Sequence, residues 1–259
     1  MSGFPLPNFS TDLSGQTALV TGASSGLGWR FAQVLAACGA RVAVTARRVD
    51  RLQSLSEDIR ARGGVAKPFA LDVACDDGFG RLLDDVEREL GRVTILVNNA
   101  GVPDAGYATA LPLERIDAVL DTNLRGGFLL SREVARRLIE AKQGGRFVNI
   151  ASMTAFSYSG GAATLYAVTK AGVVRMTEVL AVEWAKFGIN VNAIAPGLID
   201  SEMTAGMLDR MSAQMVKAFP RGRVGDPAHL DGALLFLVSP ASDFVTGTVI
   251  KVDDRQGAR

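Results

Sequence analysis

Gln16-Thr17-Ala18-Leu19-Val20-Thr21-Gly22-Ala23-Ser24-Ser25-Gly26-Leu27-Gly28 is the stretch from which the fold can be read. Its first six residues are a short run rich in apolar and β-branched side chains, the composition of a buried strand. From Trp29 to Cys38 apolar residues return at helical spacing. The glycines between strand and helix are spaced Gly-x3-Gly-x-Gly. They let the main chain turn tightly and approach a ligand, and the free N–H groups of the helix start then face that ligand. Any tight strand–helix turn needs such glycines, but the flanking strand and helix favour a phosphate-bearing nucleotide. The spacing differs from the usual Gly-x-Gly-x-x-Gly fingerprint.

Working outward, the alternation continues to the end of the chain. Strands are expected at 41–45, 65–71, 93–97, 146–151, 189–195 and 247–252. Helices are expected at 49–62, 77–90, 113–143, 164–187 and 227–238, several closed by glycine (Gly63-Gly64, Gly91, Gly144-Gly145, Gly188). Inside the long helix 113–143, Gly126-Gly127 predicts a kink or a close contact, since glycine costs about 1 kcal/mol against alanine there. Methionines 203, 207, 211 and 215 recur every four residues and predict one flexible apolar stripe over 201–219. Seven strands alternating with helices imply an α/β fold: a single domain, 1–259, with a doubly wound, seven-stranded parallel sheet and helices on both faces. Residues 1–13 form an N-terminal extension, and 198–220 a mobile lid over substrate.

Composition narrows the function. The 259 residues are 48% hydrophobic with a formal net charge of +1. That suffices for a large core and carries no basic field for nucleic acid or an anionic membrane. No apolar run approaches the roughly 20 residues of a membrane span, and 1–13 lacks the pattern of a secretion signal. Two cysteines, Cys38 and Cys75, make neither a disulfide framework nor a zinc site. The single histidine, His229, sits in a helix start and suits a surface role. These features fit a soluble cytoplasmic protein that binds no metal.

After the second strand, a chain that binds NAD places an acid to accept from the ribose 2′-hydroxyl. Here Ala46-Arg47-Arg48 follow, with no acid before Asp50. A guanidinium pairs with a 2′-phosphate that a carboxylate would repel, so NADP(H) is favoured over NAD(H), although Arg47 and Arg48 also suit a solvated helix start. Asp72, ending the third strand, can accept from an adenine amino group. Asn98-Asn99-Ala100-Gly101 offers small and amide residues beside a ribose, or an ordinary turn. Ser152 lies at the carboxyl end of the fifth strand, the edge where open parallel sheets bind ligands. Asn123, at the glycine pair, can hold a water or be a satisfied core amide.

Tyr166 and Lys170 stand four residues apart and so share one helix face. A free tyrosine, with a pKa of roughly 10, is a poor proton donor or acceptor at neutral pH. A nearby ammonium favours the phenolate and draws that pKa down, which equips the phenol for acid–base work. The pair alone is common on amphipathic helices, so the other motifs must support it.

Together, Thr21-Gly22-x3-Gly26-x-Gly28, Asp72, Asn98-Asn99-Ala100-Gly101, Asn123, Ser152, Tyr166-x3-Lys170 and Pro196-Gly197 resemble the short-chain dehydrogenase/reductase family, over residues 13–252. The resemblance implies a Rossmann fold, a nicotinamide cofactor and interconversion of a secondary alcohol and a ketone by hydride transfer. It makes Tyr166 the general acid and base, and Lys170 the residue that tunes it and binds the nicotinamide ribose. Ser152 steadies the substrate oxygen, and Asn123 holds a water linking Lys170 to solvent. The implied cofactor-binding set is Gly22, Ser24, Ser25, Gly26, Leu27, Gly28, Arg47, Arg48, Asp72, Val73, Asn99, Ala100, Gly101, Tyr166, Lys170, Pro196, Gly197, Ile199 and Ser201. The resemblance and the two long apolar helices imply a homo-oligomer, a dimer or tetramer, with the tyrosine helix at the contact.

Three departures stand out. Ser152 precedes Tyr166 by one residue more than the family's spacing, to be absorbed in 157–163, with Thr154 as the alternative hydroxyl for that role. Ser201 stands where a threonine is common. The tail Val252-Asp253-Asp254-Arg255 replaces Val-Asp-Gly-Gly and is expected to affect the tail and subunit contacts, not the catalytic group. Tyr107, Met153, Phe156, Tyr158 and the methionines point to an apolar or aromatic carbonyl or alcohol. The same-fold alternative is 3-oxoacyl-[acyl-carrier-protein] reduction, which Arg136 suits and Val182 does not. The alternative of another class is a non-enzymatic nucleotide sensor or scaffold; retention of both Tyr166 and Lys170 argues against it.

Overall fold

The computed structural model describes residues 7–104, 106–158, 160, 163–209 and 211–256, with the main chain alone at Asp76. The strands are β1 (Thr17–Thr21), β2 (Arg41–Ala46), β3 (Val65–Ala70), β4 (Ile95–Asn98), β5 (Gly145–Ile150), β6 (Ile189–Pro196) and β7 (Val249–Val252). They form one sheet in the order β3-β2-β1-β4-β5-β6-β7, with every pairing parallel. The order doubles back between β1 and β4, which opens a crevice at their carboxyl ends, as doubly wound sheets do. Central strands buried on both faces are largely apolar, and β1 is buried at all five positions, its two threonines donating to Leu90 O and Val97 O.

The helices are α1 (Gly26–Ala37), α2 (Val49–Ala61), α3 (Phe79–Leu90), α4 (Leu113–Leu120), α5 (Gly126–Glu140), α6 (Thr164–Trp184), α7 (Ala205–Leu208), α8 (Ala213–Lys217) and α9 (Asp231–Val238). Two apolar layers cover the sheet. One joins residues of α3, α5 and α6, among them Leu83, Leu138 and Leu180; the other joins α1, α2 and α9 through Phe31, Leu52 and Leu234. At the N-terminus, Leu13 is buried and its N–H donates to Cys38 O at 2.7 Å.

Four sequence expectations need correction. The long helix is α4 and α5 joined by a π turn, Asp121–Arg125, and it ends at Glu140 rather than 143. The glycine pair explains the site of the irregularity: a Cβ on Gly126 would stand 2.2 Å from Val73 O, so the helix passes against that main chain. The methionine stripe does not form, because Ser212 caps a new short helix, α8, through Met215 N. Met203, Met207 and Met215 are exposed while Met211 is half-buried. The segment 227–238 begins as a 3-10 turn, Pro227–Leu230, capped by Asp226, and His229 Nδ1 accepts from Asp226 N at 2.9 Å. The last strand starts at Val249, after a left-handed turn at Gly247. No helix among the described residues is long and apolar enough to cross a membrane, and no cluster of potential metal ligands occurs among them.

Candidate active site

The carboxyl ends of the strands open into a cleft of about 430 Å³. One rim carries Gly22, Ser24, Ser25, Gly26 and Leu27 after β1, Arg47 and Arg48 after β2, Asp72 and Val73 after β3, and Asn99, Ala100 and Gly101 after β4. The other rim carries Ser152, Tyr166, Lys170, Pro196, Gly197, Ile199 and Ser201. Of the sequence candidates, Gly28 and Asn123 stand behind these walls.

The first rim is set by main-chain approach. Gly22 is left-handed (φ 65°), and a Cβ there would stand 2.8 Å from Ala100 Cα. A Cβ on Gly28 would stand 2.4 Å from Gly22 O. Asn99 explains why this packing holds: its side-chain amide donates to Thr21 O and Gly22 O, at 2.9 and 3.2 Å. Thr21 Oγ1 in turn accepts from the N–H groups of Asn99 and Ala100, each at 3.0 Å. Ser25, at the N-cap of α1, makes no side-chain cap, so the first-turn donors are left for a ligand. The close-packed glycine cradle and uncapped donors fit the phosphates of a dinucleotide.

Two arginines stand at the ribose end. Arg47 is largely exposed, with Asp72 Oδ2 at 3.9 Å. Arg48 donates to Ser24 Oγ and Ser25 Oγ, and to both Glu202 carboxylate oxygens at 2.7 Å. Arg48 and Ser25 hold the Glu202 carboxyl down at about 2. Glu202 comes from the opposite rim and was not among the sequence candidates.

Tyr166 sits in the first turn of α6, and Lys170 one turn on is 4% exposed. The spacing predicts an ammonium that draws the phenol down. The structure reverses this: burial pushes Tyr166 up to about 12, a hydrogen bond from Ser152 lowers it, and the charge of Asp104 raises it. The cause is placement. Lys170 Nζ lies over the Tyr166 ring, 5.5 Å from its centroid, and donates to Ile150 O at 2.7 Å. Burial brings Lys170 itself down to about 8.

Ser152 lies within hydrogen-bonding reach of the Tyr166 hydroxyl, and its Oγ accepts from Thr154 N at 3.2 Å and Thr154 Oγ1 at 3.0 Å. Thr154 does not line the cleft. Residues 159, 161 and 162, within the segment expected to absorb the longer spacing, lie outside the described residues. Asn123, in the π turn, accepts from Val102 N at 2.8 Å and donates to Val102 O at 2.9 Å. It thus touches the cleft through the main chain of Val102. Ser201 Oγ is bonded to Thr204 Oγ1 at 3.0 Å.

Two more residues escaped the sequence reading. Asp104 is taken up below. Gln256, in the tail, accepts from Leu198 N at 2.6 Å and donates to Leu198 O and Arg223 O. The tail therefore holds Leu198, at the start of the segment whose Ile199, Ser201 and Met203 line the cleft. Asp254 and Arg255 take the left-handed backbone (φ 47° and 62°) that a Gly-Gly pair would adopt freely. That signal was available in the departure from Val-Asp-Gly-Gly.

Residues 22–254 match a family described as enoyl-(acyl carrier protein) reductase. The 3-oxoacyl-[acyl-carrier-protein] reductase FabG of Vibrio cholerae is 36% identical over 93% of this chain and 97% of that protein. A short-chain type dehydrogenase/reductase structure from Mycobacterium marinum has a TM-score of 0.90 and 38% identity over 94% of this chain and 96% of its own. A gluconate 5-dehydrogenase structure from Burkholderia cenocepacia, in complex with NADP and tartrate, has a TM-score of 0.88 and 33% identity over 94% and 96%.

Proposed function

Because the chain belongs to the short-chain dehydrogenase/reductase family, and is by that membership an NAD(P)-dependent oxidoreductase of ketones and alcohols, we propose that it is an NADP(H)-preferring carbonyl reductase in which Tyr166 moves the proton. The observation that carries this reading is the convergence of Ser152, Tyr166 and Lys170 on the cleft that also holds the glycine cradle. The bound nicotinamide supplies the hydride, or accepts it in the reverse direction. As charge grows on the carbonyl oxygen, Ser152 donates a hydrogen bond there and Tyr166 delivers its proton. A phenol that burial keeps protonated suits that direction. Lys170 refills the proton: near a pKa of about 8 it can give one up at modest cost. Asn123 serves this relay by holding a water. In support, Asn98, Asn123, Asn149 and Lys170 line a cavity of about 10 Å³, at the lower limit of what admits one water, and the buried Asn98 Oδ1 makes no hydrogen bond.

Arg47 and Arg48, with no acid between β2 and Asp50, support NADP(H), as does the NADP held by the Burkholderia relative. Exposed Tyr107, Phe156, Tyr158, Met203 and Met207 support an apolar or aromatic substrate, with 198–220 as its lid. Exposed Phe128 on α5 and Val168, Val179 and Val182 on α6 support a homo-oligomer that buries them. A second reading, 3-oxoacyl-[acyl-carrier-protein] reduction, is favoured by the FabG relatives. Arg136 weakens it as a carrier-docking cation, since Glu133 and Glu140 already neutralise that side chain at 2.7 and 2.5 Å. A screen of free aryl and alkyl ketones and of 3-oxoacyl-carrier substrates, each with NADPH and NADH, tests the assignment. Turnover of free ketones with NADPH ahead of NADH is expected. Turnover confined to carrier-bound substrates would replace the first reading by the second, and no turnover of any carbonyl would reject both.

A further inference from the structure

The loop after β4 contains a carboxylate that the chemistry above does not use. Asp104 is 3% exposed. Its Oδ2 accepts from the main-chain N–H groups of Leu165 at 2.7 Å and Tyr166 at 3.1 Å. Its Oδ1 is buried and makes no hydrogen bond. The residue at the N-cap of α6, Ala163, has no side chain that could cap it. The helix that carries the tyrosine is therefore capped from sixty residues away, and one of the two capped donors belongs to Tyr166 itself.

The loop is pinned on both sides. Asn123 holds Val102 through both its amide groups, Arg115 donates to Pro103 O, and Gly106 bridges to Ala163. Asp104 thus hangs from a fixed segment. A helix N-terminus carries partial positive charge, which stabilises a carboxylate placed there. That explains how a buried acid with one unbonded oxygen is tolerated beside the first turn.

We propose that Asp104 is a positioning residue for the reaction assigned to Tyr166: it caps the first turn of α6, sets the place of the phenol at the cleft, and puts an acidic side chain against the main chain of Tyr166. The inference rests on that assignment for its catalytic meaning. The groups that bear on the phenol are few. Ser152 approaches from the turn after β5, Lys170 from the next turn of α6, and Asp104 from the loop after β4. Asp121 and Arg125, the charged residues of the π turn packed on α6, do not shift it, and Arg47, Arg48 and Asp72 lie at the far end of the cleft. Of Ser152, Lys170 and Asp104, Asp104 is the acidic group, and its effect on the phenol favours a tyrosine that donates a proton.

Asp104→Asn keeps an acceptor oxygen and removes the charge; Asp104→Ala removes both. The Tyr166 phenol is followed by the ¹³Cζ shift of labelled tyrosine, assigned with Tyr166→Phe, and turnover is measured across pH beside it. In Asp104→Asn the phenol should begin to ionise at lower pH than in the parent, and the alkaline limb of turnover should move down with it. In Asp104→Ala kcat should fall by roughly 10- to 100-fold, the scale of a misplaced reacting group, with faster amide exchange at Leu165 and Tyr166. An unmoved phenol titration in Asp104→Asn overturns the inference, even if both variants melt earlier, because a merely structural cap changes Tm alone. Should Asp104→Ala not fold, the titration of Asp104→Asn still decides. Should the parent turn over no carbonyl, the assigned reaction fails while the titration still reads the effect of Asp104.

Discussion

The two rims of the cleft are built on different principles. The nucleotide rim is made of main chain: Gly22 and Gly28 have no room for a Cβ, and Asn99 ties the turn after β4 to the turn after β1. The opposite rim is made of side chains, among them Ser152, Tyr166, Ile199, Ser201 and the exposed Met203. Backbone-to-backbone packing allows one arrangement and tolerates little. Exposed flexible side chains can be exchanged at small cost in stability. One rim therefore suits an invariant cofactor, while the other leaves the substrate open to revision. Tyr166, Lys170 and Ser152 stand on the second rim and face the first across the cleft, at the seam of the two.

The sharpest way to break this division is Tyr166→Phe. It removes one oxygen at the seam and keeps the ring, so the nucleotide rim should bind cofactor as before. The proton donor is lost, and such groups typically contribute ~10²–10⁴ in rate. The loss should appear in kcat, since the proton moves in the transition state. Cofactor affinity by fluorescence and single-turnover rates check both halves. Near-full turnover would remove Tyr166 from the mechanism. A large loss of cofactor affinity would show that the two rims do not work apart.

Lys170→Met measures what the seam costs the fold. Burial lowers Lys170 from 10.5 to about 8, so the charged form is disfavoured in the folded state. The sign follows. Between pH 8 and 10.5 the unfolded chain binds more protons than the folded one, so stability rises with pH in that window, and the full cost is present below pH 8. Tyr166, raised to about 12, acts oppositely, but only above pH 10, where the unfolded phenol starts to ionise. A shift of this size is about 3 kcal/mol, less about 1 kcal/mol for the lost bond to Ile150 O. At pH 7 Lys170→Met should be more stable by about 2 kcal/mol, and the gap should close by pH 10. Denaturant melts at pH 7, 8.5 and 10 check this; a variant less stable than the parent at pH 7 would show that the buried ammonium carries no such cost.

The same contrast accounts for what could be read from the sequence. The alternation of strands and helices, the parallel sheet and the glycine turn were legible because they are local patterns or main-chain constraints: a short run of apolar and β-branched residues, then glycines at fixed offsets. Tyr166 and Lys170 were legible because helical spacing alone puts them on one face. The direction of the tyrosine's pKa was not, because it depends on burial and on where the ammonium lies against the ring, and spacing encodes neither. Asp104, Glu202 and Gln256 act across 61, 154 and 58 residues of chain. No short-range pattern marks such partners. The methionine stripe failed for the converse reason: a spacing of four means one face only while a single helix lasts, and Ser212 starts a new one.

The smallest effect tests the place where the rims touch. Arg48 belongs to the nucleotide rim and Glu202 to the substrate rim, and their two hydrogen bonds of 2.7 Å span the mouth of the cleft. About half of each side chain is exposed. Such pairs contribute roughly 0–1 kcal/mol, so the bridge is weak enough to open each time a ligand enters. A 2′-phosphate that seeks the Arg48 guanidinium must displace the Glu202 carboxylate, whereas a 2′-hydroxyl gains nothing from doing so. Glu202→Gln removes the competing charge and keeps the side chain's length. It should tighten NADPH about two- to threefold, an effect on the order of 0.5 kcal/mol, and leave NADH nearly unchanged. Added salt, which screens exposed charges, should narrow the difference between parent and variant. Titration calorimetry with both cofactors at low and moderate ionic strength checks this. Equal weakening of NADPH and NADH in the variant would mean that Glu202 clasps the closed cleft from above, and the two rims would then cooperate in holding cofactor.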